Sequence, residues 1–138
     1  GHALQTNIQP EKSWRALDDV IRAAAVRGVQ VQLLVDFSHV KKAKKDLLAL
    51  AALKNIEVRA VTLPKWSGGA IDYARLIHSK YLVVDGTASW VGSENWSESY
   101  FMNARDVGIV LKAAGPTAQL NSVFDRVWQS AYAARVAP

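Results

Sequence analysis

The 138-residue sequence contains no cysteine. That absence excludes disulfide frameworks, thiolate zinc sites and cysteine nucleophiles together, and it leaves the compartment open. Long apolar runs are missing as well. None approaches the ~20 residues that a membrane-spanning helix needs, and no basic-then-apolar leader opens the chain. Acidic residues are the minority of the charged set, twelve against seventeen Lys and Arg, and the resulting net charge of +5 favours an anionic partner. One well-placed histidine without cysteine is too little for the usual three- or four-ligand metal site, so no metal is expected.

Half of the residues are hydrophobic, and the length suits one domain with a sizeable core. Gly1-His2 reads as an expression remnant, which leaves room for a trimmed leader or longer upstream segment, and His2 is treated as uninformative. From Pro10 to Arg27, the residues Trp14, Leu17, Val20, Ile21 and Ala24 recur at helical steps, and Gly28 stops the helix. The stretch "VQVQLLVDF" alternates and then turns wholly apolar, as a strand entering a buried sheet does. A second helix, "AKKDLLALAALKN", and a second strand, "IEVRAVTL", repeat the rhythm. The expectation is an α/β domain with a mixed, mostly parallel sheet flanked by helices on both faces.

Pro64 to Ala74 lose periodicity and carry Gly68-Gly69, which reads as a mobile, lid-like loop. A hairpin follows, "LIHSKYLVVDG" and "ASWVGSEN" around the Asp85-Gly86 turn. A short piece from Trp96 to Met102, a strand "RDVGIVL" and a helix from about Thr117 to Ala134 complete the chain.

The hairpin carries polar groups among apolar neighbours. Alternation puts His78 and Lys80 on one face, with Ser79 and Tyr81 on the other, and the same parity joins Ser93 to Asn95. Paired across the turn, the strands would bring an imidazole, an ammonium, a hydroxyl and an amide to one end of the sheet. Such a set fits a phosphoryl group: Lys80 supplies charge, Ser93 and Asn95 supply donors to non-bridging oxygens, and His78 Nε2 is available to attack phosphorus. An attacking imidazole needs an acceptor at Nδ1–H, and Asp106 is the candidate.

The pattern H-x-K-x-x-x-x-D followed by G-S-x-N resembles the signature of the phospholipase D superfamily; His78, Lys80, Asp85, Gly92, Ser93 and Asn95 match it position by position. The flanks "SWRALDDVIRAAAVRGVQVQLLVD" and "SENWSESYFMNARDVGIVL" resemble one repeat of that family, in particular the C-terminal half in the branch of lysosomal exonucleases and related bacterial proteins. The resemblance implies a single phospholipase D-like half over residues 1–138, as a chain of its own or a piece of a two-repeat protein. It also implies a phosphodiesterase without metal or cofactor that works through a covalent phosphohistidine. In that set Asp85 has a supporting role, and Asp106 stands where members usually carry Glu. Members use two copies of the motif, one His attacking and the other delivering a proton; this chain has one copy. The resemblance therefore implies a homodimer, or an N-terminal half that supplies the second motif. Open at this point are the substrate (phospholipid head group or single-stranded nucleic acid), hydrolysis against transfer, and whether His78 attacks or donates. A non-catalytic half-domain that binds phosphate groups is the alternative.

Around the motif, Trp66 and Trp96 are candidates to stack on a base or sit against acyl chains, and Arg75, with Tyr73, to touch a second phosphate. Trp90 reads as core. The run Lys41, Lys42, Lys44 and Lys45 reads as a solvated helix face, and His39 as a surface residue of a loop or helix start.

Overall fold

The computed structural model describes residues 2–5 and 14–137, with side chains from residue 14 onward. In chain order the elements are β1 (His2–Gln5), α1 (Ala16–Val26), β2 (Val31–Asp36), α2 (Phe37–Ala51), β3 (Ile56–Val61), β4 (Lys80–Val84), β5 (Ala88–Gly92), α3 (Glu98–Met102), β6 (Gly108–Leu111), α4 (Ala114–Trp128) and β7 (Ala133–Arg135). The seven strands form one sheet in the order β6-β5-β4-β1-β2-β3-β7.

The α/β class and the mixed sheet agree with the expectation, but the sheet is not mostly parallel. Two of its six junctions, β1 with β2 and β2 with β3, are parallel; the other four are antiparallel. The reason is connectivity. A parallel neighbour needs a crossover, and α1 and α2 serve as such, whereas β4 reverses into β5 through residues 85–87 and the link from β5 to β6, which contains α3, brings β6 back antiparallel beside it. At the β4–β5 turn Asp85 and Gly86 both take positive φ, 49° and 68°, and Thr87 N–H donates to Val84 O at 3.0 Å. Left-handed geometry at both central residues is what the primed hairpin turns require, and Asp-Gly is the pair that tolerates it.

Alternation divides the core between the two faces. Val31, Leu33 and Val35 of β2 and Ile56, Val58 and Ala60 of β3 meet Ile21 and Ala25 of α1 and Ala43, Leu47 and Leu50 of α2. On the opposite face Leu34, Val61, Tyr81 and Val83 pack against Phe124 and Trp128 of α4, whose rings stack at 5.5 Å. Leu33, Leu34 and Val58 are fully buried, each contributing about 1.5–3 kcal/mol, so a one-residue slip of β2 would forfeit more than any turn contributes.

Several boundaries differ from the sequence expectation. Residues 10–13 of the first expected helix lie outside the described residues, and Trp14 precedes α1, where its ring meets Phe101 at 5.6 Å. Helix α2 starts at Phe37, six residues earlier than the apolar pattern indicates, because the Asp36 side chain caps it. The last helix ends at Trp128. Ser130 Oγ donates to Val127 O and accepts from Tyr132 N–H, a local competition that halts the helix, and Ala133–Arg135 then cover the edge of β3 as β7. His2, set aside in the sequence, is the first residue of β1 in the middle of the sheet.

Gly92 and Gly108 face each other across β5 and β6. A Cβ at either position would collide with the Trp90 indole, which lies flat over this pair together with the Glu94 carboxylate. Gly108→Ala is therefore expected to cost about 1–3 kcal/mol in urea denaturation. Gly115→Ala, at an open position in the first turn of α4, should be neutral or gain up to about 1 kcal/mol, and equal effects of the two changes would refute the close-packing account.

Candidate active site

The site begins with Asp36 at the end of β2, buried to 6 % exposure. One carboxylate oxygen accepts from Ser38 N–H at 2.9 Å and from Ser38 Oγ at 2.6 Å, capping α2. The other accepts from Ile77 N–H at 2.9 Å. A single carboxylate thus ties the head of α2 to the residue before His78. Hydrogen bonds to a charged group contribute about 1.5–3 kcal/mol net, enough to hold an otherwise irregular segment in place. The sequence reading passed over Asp36; the signal was there in Asp-x-Ser, an N-cap pattern at the end of an apolar run.

His78 is exposed, while Lys80, the first residue of β4, is 5 % exposed. The Lys80 ammonium donates to His78 O at 2.6 Å and lies 3.2 Å from both ring nitrogens. At equal distance from both it is in line with neither lone pair, so it sits beside the ring without consuming one nitrogen. Burial pushes the Lys80 pKa below its ordinary value, and the charge of Asp106 works the other way. Those opposing effects place the Asp106 carboxylate within electrostatic reach of the ammonium.

Ser93 and Asp106 form the second pair. Strand β5 ends at Gly92, and Ser93 Oγ donates to Asp106 Oδ1 at 2.7 Å while accepting from Val107 N–H at 3.2 Å. Asp106 bonds Ser93 here, in place of the expected contact to His78 Nδ1–H, and its Oδ2 is buried without a hydrogen-bond partner among the described residues. Asn95 is buried, with Oδ1 similarly unpartnered. Simple parity does not carry the arrangement: Lys80 is registered against Gly92, so Ser93 would point to the opposite face of a continuing strand. The chain leaves the sheet after Gly92, and the link between the two pairs is the attraction of Lys80 to Asp106.

Other expected residues divide. Asp85 stands in the hairpin turn, at the end of β4 remote from Lys80; five strand steps of about 3.3 Å each separate it from that lysine. Its place is with the turn, and it is not brought to the site. Trp96 packs against the core on the α1–α2 face, with its indole N–H unpartnered, so it is not laid out as a stacking surface. Trp66 is 51 % exposed and Arg75 Nε–H donates to Pro64 O at 2.9 Å; both line a cleft of about 430 Å³ in the loop before His78, with Leu63, Lys65, Ile71 and Ala74.

His39, read from sequence as a surface residue, is half-buried in the first turn of α2. Burial, first, and the charges of Lys42, His78 and Lys80 lower its pKa, against an opposing effect of Asp36. It therefore shares the surroundings of His78 and Lys80, an adjacency that depends on the Asp36 tie and that no spacing rule reveals.

Residues 6–128 match the family described as "Cardiolipin synthase, PLD-like domain". The probable phospholipase D F09G2.8 of Caenorhabditis elegans is 34% identical over 135 residues, 86% of this chain and 24% of its own length. The 5'-3' exonuclease PLD3 of Rattus norvegicus is 37% identical over 136 residues, covering 89% of this chain and 28% of that protein. The chain thus spans roughly a quarter of the length of these relatives. Among solved structures, NucT from Helicobacter pylori superposes with a TM-score of 0.81 at 21% identity, over 94% of this chain and 79% of that one. Nuc from Salmonella typhimurium, a phospholipase D family member, gives 0.68 at 15% identity, over 97% and 78%. At those identities the likeness is one of fold.

An ammonium buried mainly against a desolvation cost is a local liability. Lys80→Met should raise the free energy of unfolding by up to about 2 kcal/mol at neutral pH. The advantage should shrink as pH rises through the folded-state pKa of Lys80 towards the ordinary 10.5, because above that value neither state carries the charge. Urea titrations at neutral and alkaline pH test this, and a less stable variant would refute it.

Proposed function

This chain belongs to the phospholipase D superfamily, a family of phosphodiesterases, and from that premise we propose that it breaks a phosphodiester through a covalent phosphohistidine on His78. The observation that carries the reading is the pairing of an exposed imidazole with a buried ammonium 3.2 Å from both of its nitrogens. Lys80 and Asn95 hold the non-bridging oxygens, and Ser93, whose hydroxyl proton goes to Asp106 in the free site, joins them by turning that proton to the phosphate. In the first step a His78 nitrogen forms a bond to phosphorus as the P–O bond to the leaving group breaks, and that oxygen takes a proton from an acid. In the second step the acid of the first, now a base, takes a proton from water, or from an alcohol in a transfer, as its oxygen forms the new P–O bond; the P–N bond breaks and the imidazole is regenerated.

The acid is the histidine of a second motif, supplied by another copy of the chain or by an N-terminal half. Relatives three to four times as long as the stretch matched leave room for such a half. Strand β6 is the outer strand of the sheet and follows directly on Asp106; Val107 and Ile109 there are 69 % and 57 % exposed. An open edge with apolar side chains beside the site fits a surface that a second half covers. The surplus of basic residues and the exonuclease relatives favour single-stranded nucleic acid over a phospholipid head group.

The test uses the assembled protein, with its mass in solution measured alongside turnover. Cleavage of a single-stranded oligonucleotide or a chromogenic phosphodiester should persist in chelator and should fall at least about 100-fold in His78→Ala. A denaturation-stable phosphoenzyme should be trapped with the parent and not with the variant. Phosphate binding without turnover, in a monomer that loses affinity with salt, would replace this reading with that of a non-catalytic module.

A further inference from the structure

His39 makes no use of its ring within the protein: among the described residues no hydrogen bond engages it. The groups that face it are Asp36 from the end of β2, Lys42 from its own helix, and His78 and Lys80 from the motif. Three of these four are basic or can become so, and the single acid already accepts three hydrogen bonds, from Ser38 N–H, Ser38 Oγ and Ile77 N–H. Burial does most to keep the half-buried imidazole neutral, and its one acidic neighbour, whose pull exceeds the push of any single basic group, is already engaged by those three hydrogen bonds. An anion seated on His78 and Lys80 would reverse that balance.

We propose that His39 belongs to the phosphate site, where it takes up a proton as an oxyanion seats beside His78 and Lys80 and donates an N–H to one of the oxyanion's oxygens. The inference rests on the phosphate-site reading above and extends it to a third basic side chain, contributed by α2 rather than by the motif hairpin. Its chemistry follows from the surroundings. Without anion the neutral ring is favoured, by burial and by the charges of Lys42, His78 and Lys80. With anion bound, the protonated ring gains a charge-assisted hydrogen bond. Its pKa rises, and binding takes up a proton at any pH between the free and the bound values. Affinity for an oxyanion of constant charge should therefore increase as pH falls through that window, and the gain should diminish once His39 is replaced by a side chain that does not titrate.

Sulfate is the probe, since its own charge is constant between about pH 5 and 8, where histidine titrates. Nuclear magnetic resonance of the imidazole nitrogens in the unmodified protein, titrated with and without saturating sulfate, should show the His39 midpoint rising by about half a unit or more. Calorimetry in two buffers of different ionisation heat should show proton uptake, and this should be smaller in His39→Gln, where only His78 is left to contribute. That variant should bind sulfate at least about threefold more weakly near pH 6 and about equally near pH 8, as a titrating contact requires. Sulfate that shifts the resonances of His78 but leaves the His39 midpoint unmoved would overturn this proposal alone. Sulfate that perturbs neither histidine would remove the phosphate-site reading and this proposal together.

Discussion

A lysine ammonium taken almost wholly out of water is the constraint around which the site is arranged. Lys80 is held at the mouth of β4 by a short bond to the carbonyl of His78 and by the field of Asp106, and both are needed because the hydration it gives up is worth several kcal/mol. The compensation is partial, as the lowered pKa records. What the protein obtains is a cation fixed beside an imidazole with little rotamer freedom left to lose when an anion arrives. Asp106 in turn is kept in place by Ser93, so the hairpin and the start of β6 act as one unit.

Asp36 does for the other side of the site what Lys80 does for the hairpin. Its carboxylate gathers the head of α2 and the lead-in to the motif, elements separated by some 40 residues of chain. Charge is again buried, here with three hydrogen bonds to the carboxylate, which makes the junction stiff. A phosphate-sized ligand would meet groups from three separate stretches of sequence whose mutual positions are settled before it binds.

The motif residues were legible because they obey local rules. Period-two alternation, an Asp-Gly turn and a fixed interval between His78 and Lys80 can be read from a single strand and its return. The two buried strands and their flanking helices were legible for the same reason, since apolar periodicity is a property of short windows. What was misread depends on distant contacts. The direction of β4 to β6 follows from which strands pair across the finished sheet, and β7 covers what would otherwise be the bare edge of β3. Asp106 was assigned to His78 from its place at the start of the following strand, whereas the bond goes to Ser93 once β5 stops at Gly92. Asp85 belongs to the motif as a pattern and to the turn as a structure. His39 was dismissed because nothing within its own window marks it; only the Asp36 tie brings α2 alongside the hairpin.

Strand β1 lies between β4 and β2, paired antiparallel with one and parallel with the other. The pairing with β4 joins residues about 80 positions apart, so the two sides of the sheet meet only after a long loop has closed. Asp36 and His39 belong to one side, and His78 and Lys80 to the other. Formation of the pocket is thereby coupled to the slowest, most non-local event in folding rather than to either half-sheet on its own. A nascent chain would carry a complete hairpin motif, sound in its local geometry, that has no chemistry until its earliest segment slots in beside it.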